Sequence, residues 1–248
     1  MLYEIKSDKE LNIVKPFFKN IRFFIGNSVF DGMKGNAYVD NTLNPKLAVL
    51  TVNSFCFISG TIEKIKLKNI IDKYFKNYDI ISSDNLAKEI EEIYQDNIIK
   101  SYRYSIKKNP HFDILKLEQM ANNLDTYFKI IEIDKKMTDR IKKEEFIRIT
   151  DNYEEDGIGY CCLTGNNELV GVASSNIIYK DGIEVNIKVK EQYRRKKIAT
   201  AMASKLILEC LKQKRKISWD AANTNSVVLA EKLGFKYDSK YNVYSFDE

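Results

Sequence analysis

Residues 183–190 read IEVNIKVK, with Ile183, Val185, Ile187 and Val189 alternating against Glu184, Asn186, Lys188 and Lys190. A period of two marks a half-buried strand, so the first set is expected inward and the second on a polar face. Four residues later the pattern changes. Arg194, Arg195, Lys196 and Lys197 follow one another, and then Ile198, Met202, Leu206 and Cys210 recur at every fourth position. That stripe predicts a helix over about 194–213. A strand that turns through a short loop into a helix with one apolar face needs a sheet for the helix to pack on, which makes this an α/β chain. Cations gathered at a helix start repel each other and the unpaired N–H groups there, unless an anion comes to meet them. Such a junction suits a pyrophosphate; a solvated basic helix start is the plainer alternative.

The flanking segments extend this pattern. FKIIEID (128–134) predicts a strand and 136–150 a helix. GIGYCCLT, the turn Gly165-Asn166-Asn167 and ELVGVASSNIIY read as a hairpin, and Asp181-Gly182 as a second turn. KISWD (216–220) predicts a short strand, and Asn223 to Leu233 a helix stopped by Gly234. Two short strands, Phe235–Asp238 and Tyr241–Phe246, complete the chain. The order β-α-β-β-β-α-β-α-β-β fits a mixed sheet with helices on both faces, of α/β or α+β class. In the first half, NAYVD and LAVLTVNSFCFISG predict strands, 63–76 a helix, YDIIS a strand, 85–99 a helix and SYRYSIKK a strand. This β-β-α-β-α-β order echoes the second half without its basic helix start. Pro110 to Asp125 reads as the connector, and the expected division is 1–125 and 126–248.

Composition narrows the function classes. A chain of 248 residues with 44% hydrophobic and 30% charged side chains has material for two modest cores. The net charge of +5 is mild and its signs are mixed, which argues against a nucleic-acid partner. No apolar run approaches the ~18 residues of a membrane span. The N-terminal MLYEIKSDKELNIVK lacks an apolar signal core, so a cytoplasmic location without a membrane partner is expected. Cys56, Cys161, Cys162 and Cys210 are scattered, and His111 is the single histidine. These counts argue against a disulfide framework, a metal site and a histidine-dependent triad.

VKEQYRRKKIAT (189–200) resembles the acetyl-CoA motif of the GCN5-related N-acetyltransferases. There a strand ending in Val leads through Tyr-Arg into an Arg-x-x-Gly-x-Gly/Ala loop and helix; Arg194 and Ala199 match the ends of that pattern. Thirty residues on, NTNSVVLAEKLGF (223–235) resembles the second family signature, an Asn-led helix ending in Leu-Gly-Phe. The resemblance is best over about 126–248. The whole layout looks like the branch with a smaller, degenerate acetyltransferase-like N-terminal half.

The resemblance implies acetyl-CoA as co-substrate, no metal, and a small-molecule or peptide amine as acceptor. Pantetheine would pair with Ile187, Lys188 and Val189, whose backbone groups would polarise the thioester carbonyl. The pyrophosphate would rest on Arg194, Arg195, Lys196, Lys197, Ile198, Ala199 and Thr200, with Asn223 reaching the cofactor from the next helix. An alkyl ammonium has a pKa near ~10, so the acceptor must lose a proton before it attacks. Glu184, on the polar face of the strand, is the candidate base, and Asp220 a weaker one. Tyr241 or Tyr244 could supply an acid, although a thiolate leaves readily without one. Three departures stand out. Lys197 replaces the loop glycine, Arg195 replaces a common second glycine, and Ala230 replaces a tyrosine thought to protonate the leaving thiolate. Two other readings stay open: a non-catalytic binding protein of this shape, and a transferase using aminoacyl-tRNA, against which the mixed charge speaks. A homodimer is compatible with all three.

Overall fold

Strands form where alternation and turn chemistry place them, in a computed structural model that describes residues 1–19, 25–107, 110–147, 149 and 153–247. Two compact units divide the chain: Met1–Ser105 together with Ser239–Glu248, and Ile106–Asp238. The first contains β1 (Tyr3–Ile5), α1 (Asp8–Val14), α2 (Ile25–Phe30), β2 (Asn36–Val39), β3 (Leu47–Val52) and β4 (Phe55–Gly60). It continues with α3 (Lys64–Ile70), β5 (Asp79–Ser82), α4 (Asp84–Tyr94) and β6 (Ile99–Ile106), whose last residue counts with the second unit. Leu47, Val49, Cys56, Ile58, Leu67, Ile71, Leu86 and Ile90 bury one core there.

The second unit begins with α5 (Ile114–Asn122), β7 (Phe128–Glu132), α6 (Lys135–Lys143), α7 (Tyr153–Asp156), β8 (Gly159–Thr164), β9 (Leu169–Tyr179) and β10 (Gly182–Val189). After these come α8 (Ile198–Lys212), β11 (Lys216–Ser218), β12 (Asp220–Ala221) and α9 (Thr224–Lys232); of β13 (Tyr237–Ser245) only Tyr237 and Asp238 count with this unit, the rest with the first. Its five-stranded sheet has the order β11-β10-β9-β8-β7, antiparallel except for the β10/β11 pair. Cys161, Leu163, Leu169 and Val172 face α6 on one side of it. Ile198 and Met202 of α8 press against Gly171 on the other.

Both units contain the same run: three antiparallel strands, a helix, and a strand returning parallel to the third. In the first unit β4 stays paired with β5 from Phe55↔Asp79 to Ile58↔Ser82. Ser83 N–H then donates to Ile58 O at 3.0 Å, and Asn85 Nδ2 closes on Gly60 O at 2.8 Å. In the second unit the equivalent pair, β10 and β11, runs only from Gly182↔Lys216 to Glu184↔Ser218. One pair is zipped; the other parts early.

Several expected boundaries shift for local reasons. The helix begins at Ile198, not 194, because Arg195 and Lys197 take left-handed backbone angles that no α-helix contains. The helix over 136–150 stops at Lys143, and residues 148 and 150 lie outside the described chain. KISWD divides at Trp219 into β11 and β12, while the two C-terminal strands are one, β13. The connector contains α5, which packs on α8.

Candidate functional site

On one edge β10 pairs with β9 along its whole length, from Gly182↔Tyr179 to Val189↔Gly171. On the other edge it leaves β11 after Glu184. Val185 to Val189 therefore extend past the ladder, with no strand partner on that edge among the described residues. A shift of register against β9 between Glu184 and Val185 accompanies the parting. Backbone N–H and C=O groups on such an edge need partners, and an extended ligand can supply them. Ile187, Lys188 and Val189 lie within this stretch.

Beyond Val189 the chain makes a 3₁₀ turn at Glu191–Tyr193 and enters the basic loop. Arg195 has φ 62°, and Lys197 has φ 65° and ψ 1°. These are the two positions where the resembled motif places glycine. The loop thus keeps the glycine conformation while carrying an arginine and a lysine, at a cost of roughly 1–2 kcal/mol per residue. The ladder of α8 starts with Ala201 N–H donating to Lys197 O at 3.0 Å, so the N–H groups of Ile198, Ala199 and Thr200 precede it. Lys197 Nζ donates to Asn123 Oδ1 at 3.0 Å. Arg194 pairs with Glu191 at 3.5 Å, and Lys196 Nζ stands 5.5 Å over the Tyr193 ring. Arg195 has no ion pair or hydrogen-bonded side-chain partner among the described residues. Lys197→Gly is expected to raise stability by about 0.5–1 kcal/mol through relief of the left-handed strain. It should move acetyl-CoA affinity by no more than about tenfold. Thermal melting and calorimetric titration check the two halves of that expectation.

Glu168 fixes the approach to this loop. One carboxylate oxygen accepts from Lys190 Nζ at 2.9 Å and the other from Tyr193 Oη at 2.8 Å, while the Tyr193 ring meets Phe128 edge-on at 6.0 Å. The hydrogen bonds from Lys190 and then Tyr193 hold the Glu168 carboxyl below its ordinary range, and the same carboxylate raises the Tyr193 phenol. A depressed carboxylate stabilises the fold at neutral pH, and that contribution is lost as pH falls through its lowered folded value. Glu168→Gln should weaken acetyl-CoA binding roughly three- to tenfold at pH 7, with the difference from wild type vanishing in acid. Titration calorimetry at the two pH values tests it.

Asn223 caps α9, its Oδ1 accepting from Ser226 N–H at 3.0 Å. Ser226 Oγ in turn accepts from Trp219 Nε1–H at 3.0 Å. With Oδ1 committed to the helix, the carboxamide NH₂ is what Asn223 can offer a ligand. Gly234 has φ 109°, and a Cβ there would lie 2.9 Å from His111 O. Its neighbour Phe235 stacks edge-on against Phe112 (5.1 Å) and Trp219 (5.5 Å). Leu-Gly-Phe is thus a packing device. Ala230 is fully buried and brings no hydroxyl.

Glu184 departs most from expectation. Alternation places it on a polar face, yet it is 4% exposed. The face of β10 carrying Glu184 and Lys188 is the α6 side of the sheet; Glu184 is buried there, while Lys188 is exposed and stands over the Phe146 ring. Ser218 Oγ donates to a carboxylate oxygen of Glu184 and also lies 3.0 Å from Ile183 O. Tyr179 Oη is 3.5 Å from Ser218 Oγ, and burial lifts its phenol above the ordinary range. The carboxylate therefore stands at the last paired register before β10 and β11 part. Asp220 is half-buried on β12. Tyr241 is half-buried on β13 and belongs to the first unit. Tyr244, in the same unit, is a core residue: its hydroxyl donates to Glu91 and accepts from Asn242 Nδ2 at 3.0 Å.

An early-parting parallel pair and a cationic loop that opens a helix thus lie along one strand-to-helix connection, β10 to α8. The profile of the GNAT acetyltransferase family matches residues 15–244, and the chain belongs to that family. It is 25% identical over 253 residues to YdfB, an uncharacterized N-acetyltransferase of Bacillus subtilis (strain 168), covering 95% of each chain. Among solved structures it resembles a GCN5-related N-acetyltransferase-like protein from Streptococcus suis 89/1591, with TM-score 0.87 and 29% identity. That match spans 96% of this chain and 99% of the other. A tandem GNAT protein from the clavulanic acid biosynthesis pathway shares the fold at TM-score 0.53 and 7% identity, over 98% and 97% of the two chains.

Proposed function

We propose that this acetyltransferase moves the acetyl group of acetyl-CoA to a primary amine of a small molecule or peptide by direct attack. The carrying observation is the parting of β10 from β11 beside a loop that keeps a glycine conformation with cationic side chains. The residues fit the co-substrate: a free strand edge for pantetheine at Ile187, Lys188 and Val189, and helix-start N–H groups with four cations for the pyrophosphate. Acetyl-CoA supplies the activated acetyl thioester. The β10 edge orients its carbonyl and offers fixed dipoles to the charge that develops on the oxygen. Glu184 accepts the proton that the acceptor ammonium must lose. Ser218 holds that carboxylate at the mouth of the parting strands. The leaving thiolate makes only a small demand on a proton donor, since thiols ionise near about pH 8.5.

On this reading residues 126–248 carry the working site and 1–125 a degenerate copy. The zipped β4/β5 pair supports the second part, because it leaves no gap for a pantetheine strand. Among the described residues no helix is long and apolar enough to cross a membrane, and the acceptor is read as a dissolved amine in the cytoplasm. Titration calorimetry with acetyl-CoA, followed by a thiol-release screen over amines and peptides, tests the proposal. Absence of binding would sink it. Binding without turnover on any amine would favour a non-catalytic ligand-binding role.

A further inference from the structure

Paired positions across an antiparallel ladder point their side chains to the same face. Gly159 on β8 pairs with Ser174 on β9, and Ser174 pairs with Asn186 on β10, so three strands present one row. The adjacent row, Cys161, Val172 and Lys188, identifies the face. Cys161 and Val172 pack with Met137 and Ile141 of α6, and Lys188 Nζ stands 5.5 Å over the Phe146 ring. The opposite face receives α8 at Gly171. The Gly159–Ser174–Asn186 row thus projects away from the helix that follows the basic loop, on the side of the sheet that also carries Glu184.

This row is polar in apolar surroundings. Ser174 is 0% exposed, and its Oγ has no hydrogen-bond partner among the described residues. Tyr153 of α7 is 4% exposed, and its Oη is likewise unpartnered among them. Tyr153 reaches the row through the gap left by a glycine: a Cβ on Gly159 would lie 2.6 Å from that oxygen. Asn186 is half-buried, and its carboxamide makes no hydrogen bond among the described residues. Buried hydroxyls without partners cost stability, and a native chain that keeps two of them in one place calls for an explanation. Glu184 lies two residues from Asn186 along the strand, a rise of roughly 6–7 Å. That separation suits a polar group attached a few bonds from an amine.

We propose that Tyr153, Ser174 and Asn186 form an acceptor subsite that takes an uncharged hydroxyl or amide group carried beside the reacting amine. The idea rests on the acetyl-transfer reading above and names the kind of amine that site accepts. Each of the three side chains can both donate and accept, and none carries charge. An ionised carboxylate would lose its hydration there, and the nearest cation of the row beside it, Lys188, already stands over the Phe146 ring.

The experiment compares wild type with Ser174→Ala and Tyr153→Phe, using ethanolamine, glycinamide, propylamine and glycine as acceptors. Thiol release measures turnover, and thermal shift, with and without CoA, measures acceptor binding. Wild type should favour ethanolamine or glycinamide over propylamine and glycine by at least about tenfold. A preference for ethanolamine identifies a hydroxyl ligand, and one for glycinamide an amide. Both variants should collapse that preference while binding acetyl-CoA as before. In the absence of acceptor they should melt at or above the wild-type temperature, because an unpartnered buried hydroxyl has gone. The proposal is overturned if wild type ranks the four amines equally. It is also overturned if both variants melt lower and keep the wild-type preference, the behaviour of hydroxyls bridged by structural water. A protein that fails to bind acetyl-CoA fails the wider reading instead, and the thermal shifts still decide the subsite.

Discussion

Glu184→Gln is expected to lower turnover at pH 7 by at least about a hundredfold, the usual contribution of a positioned general base. Acetyl-CoA affinity should stay within about twofold of wild type, because the carboxylate faces the α6 side of the sheet while the cofactor's proposed contacts are the β10 edge and the α8 loop. The pH dependence gives the sharper reading. Most of an alkyl amine is protonated at pH 7, so a base is worth most there and progressively less as pH approaches the amine's own pKa near ~10. The gap between wild type and Glu184→Gln should therefore narrow steadily with rising pH. A pH–rate profile displaced downward by a constant factor would remove Glu184 from proton transfer and leave it a structural role. Gln preserves shape and can still accept from Ser218, so a folding defect is not expected to confuse the result.

Lys197→Pro should weaken acetyl-CoA binding by at least about a hundredfold, or roughly 2.7 kcal/mol. Proline is confined to φ near −65°, whereas Lys197 holds φ 65°. The substitution would turn the loop out of its left-handed path and displace the N–H groups of Ile198, Ala199 and Thr200 that follow. Contrast with Lys197→Gly isolates the cause. Glycine removes the same charge and the contact to Asn123 but keeps the backbone path. If geometry dominates, the glycine variant binds nearly as wild type and the proline variant scarcely binds. If charge dominates, the two lose affinity alike. Equal losses in titration calorimetry would defeat the view of this loop as a backbone cradle.

Much of this was legible in the chain because its causes are local. The period-two run at 183–190 specified β10, the four-residue stripe from Ile198 to Cys210 specified α8, and Asn223 and Gly234 marked the ends of α9. The two signature stretches, 189–200 and 223–235, carry the resemblance to the acetyltransferase family in their residues alone. Alternation, capping and turn chemistry are settled by neighbours a few residues away, so one dimension suffices to read them.

What the tertiary structure alone decided depends on partners distant in sequence. Alternation marks Glu184 as polar but not as buried; that follows from Ser218 and Tyr179, brought beside it by β11 and β9. No pattern in KISWD reveals that its strand leaves β10 after three residues, since register is a property of two strands together. The same holds for β13, where Ser239–Glu248 count with the first unit although the sequence places them last. Arg195 and Lys197 read as helix formers, yet they sit in a glycine conformation because Ile198, packed on Gly171, and Glu168, holding Tyr193, fix both ends of the loop. Local preference is worth about 1 kcal/mol per residue, and packing on both sides of a short loop exceeds it.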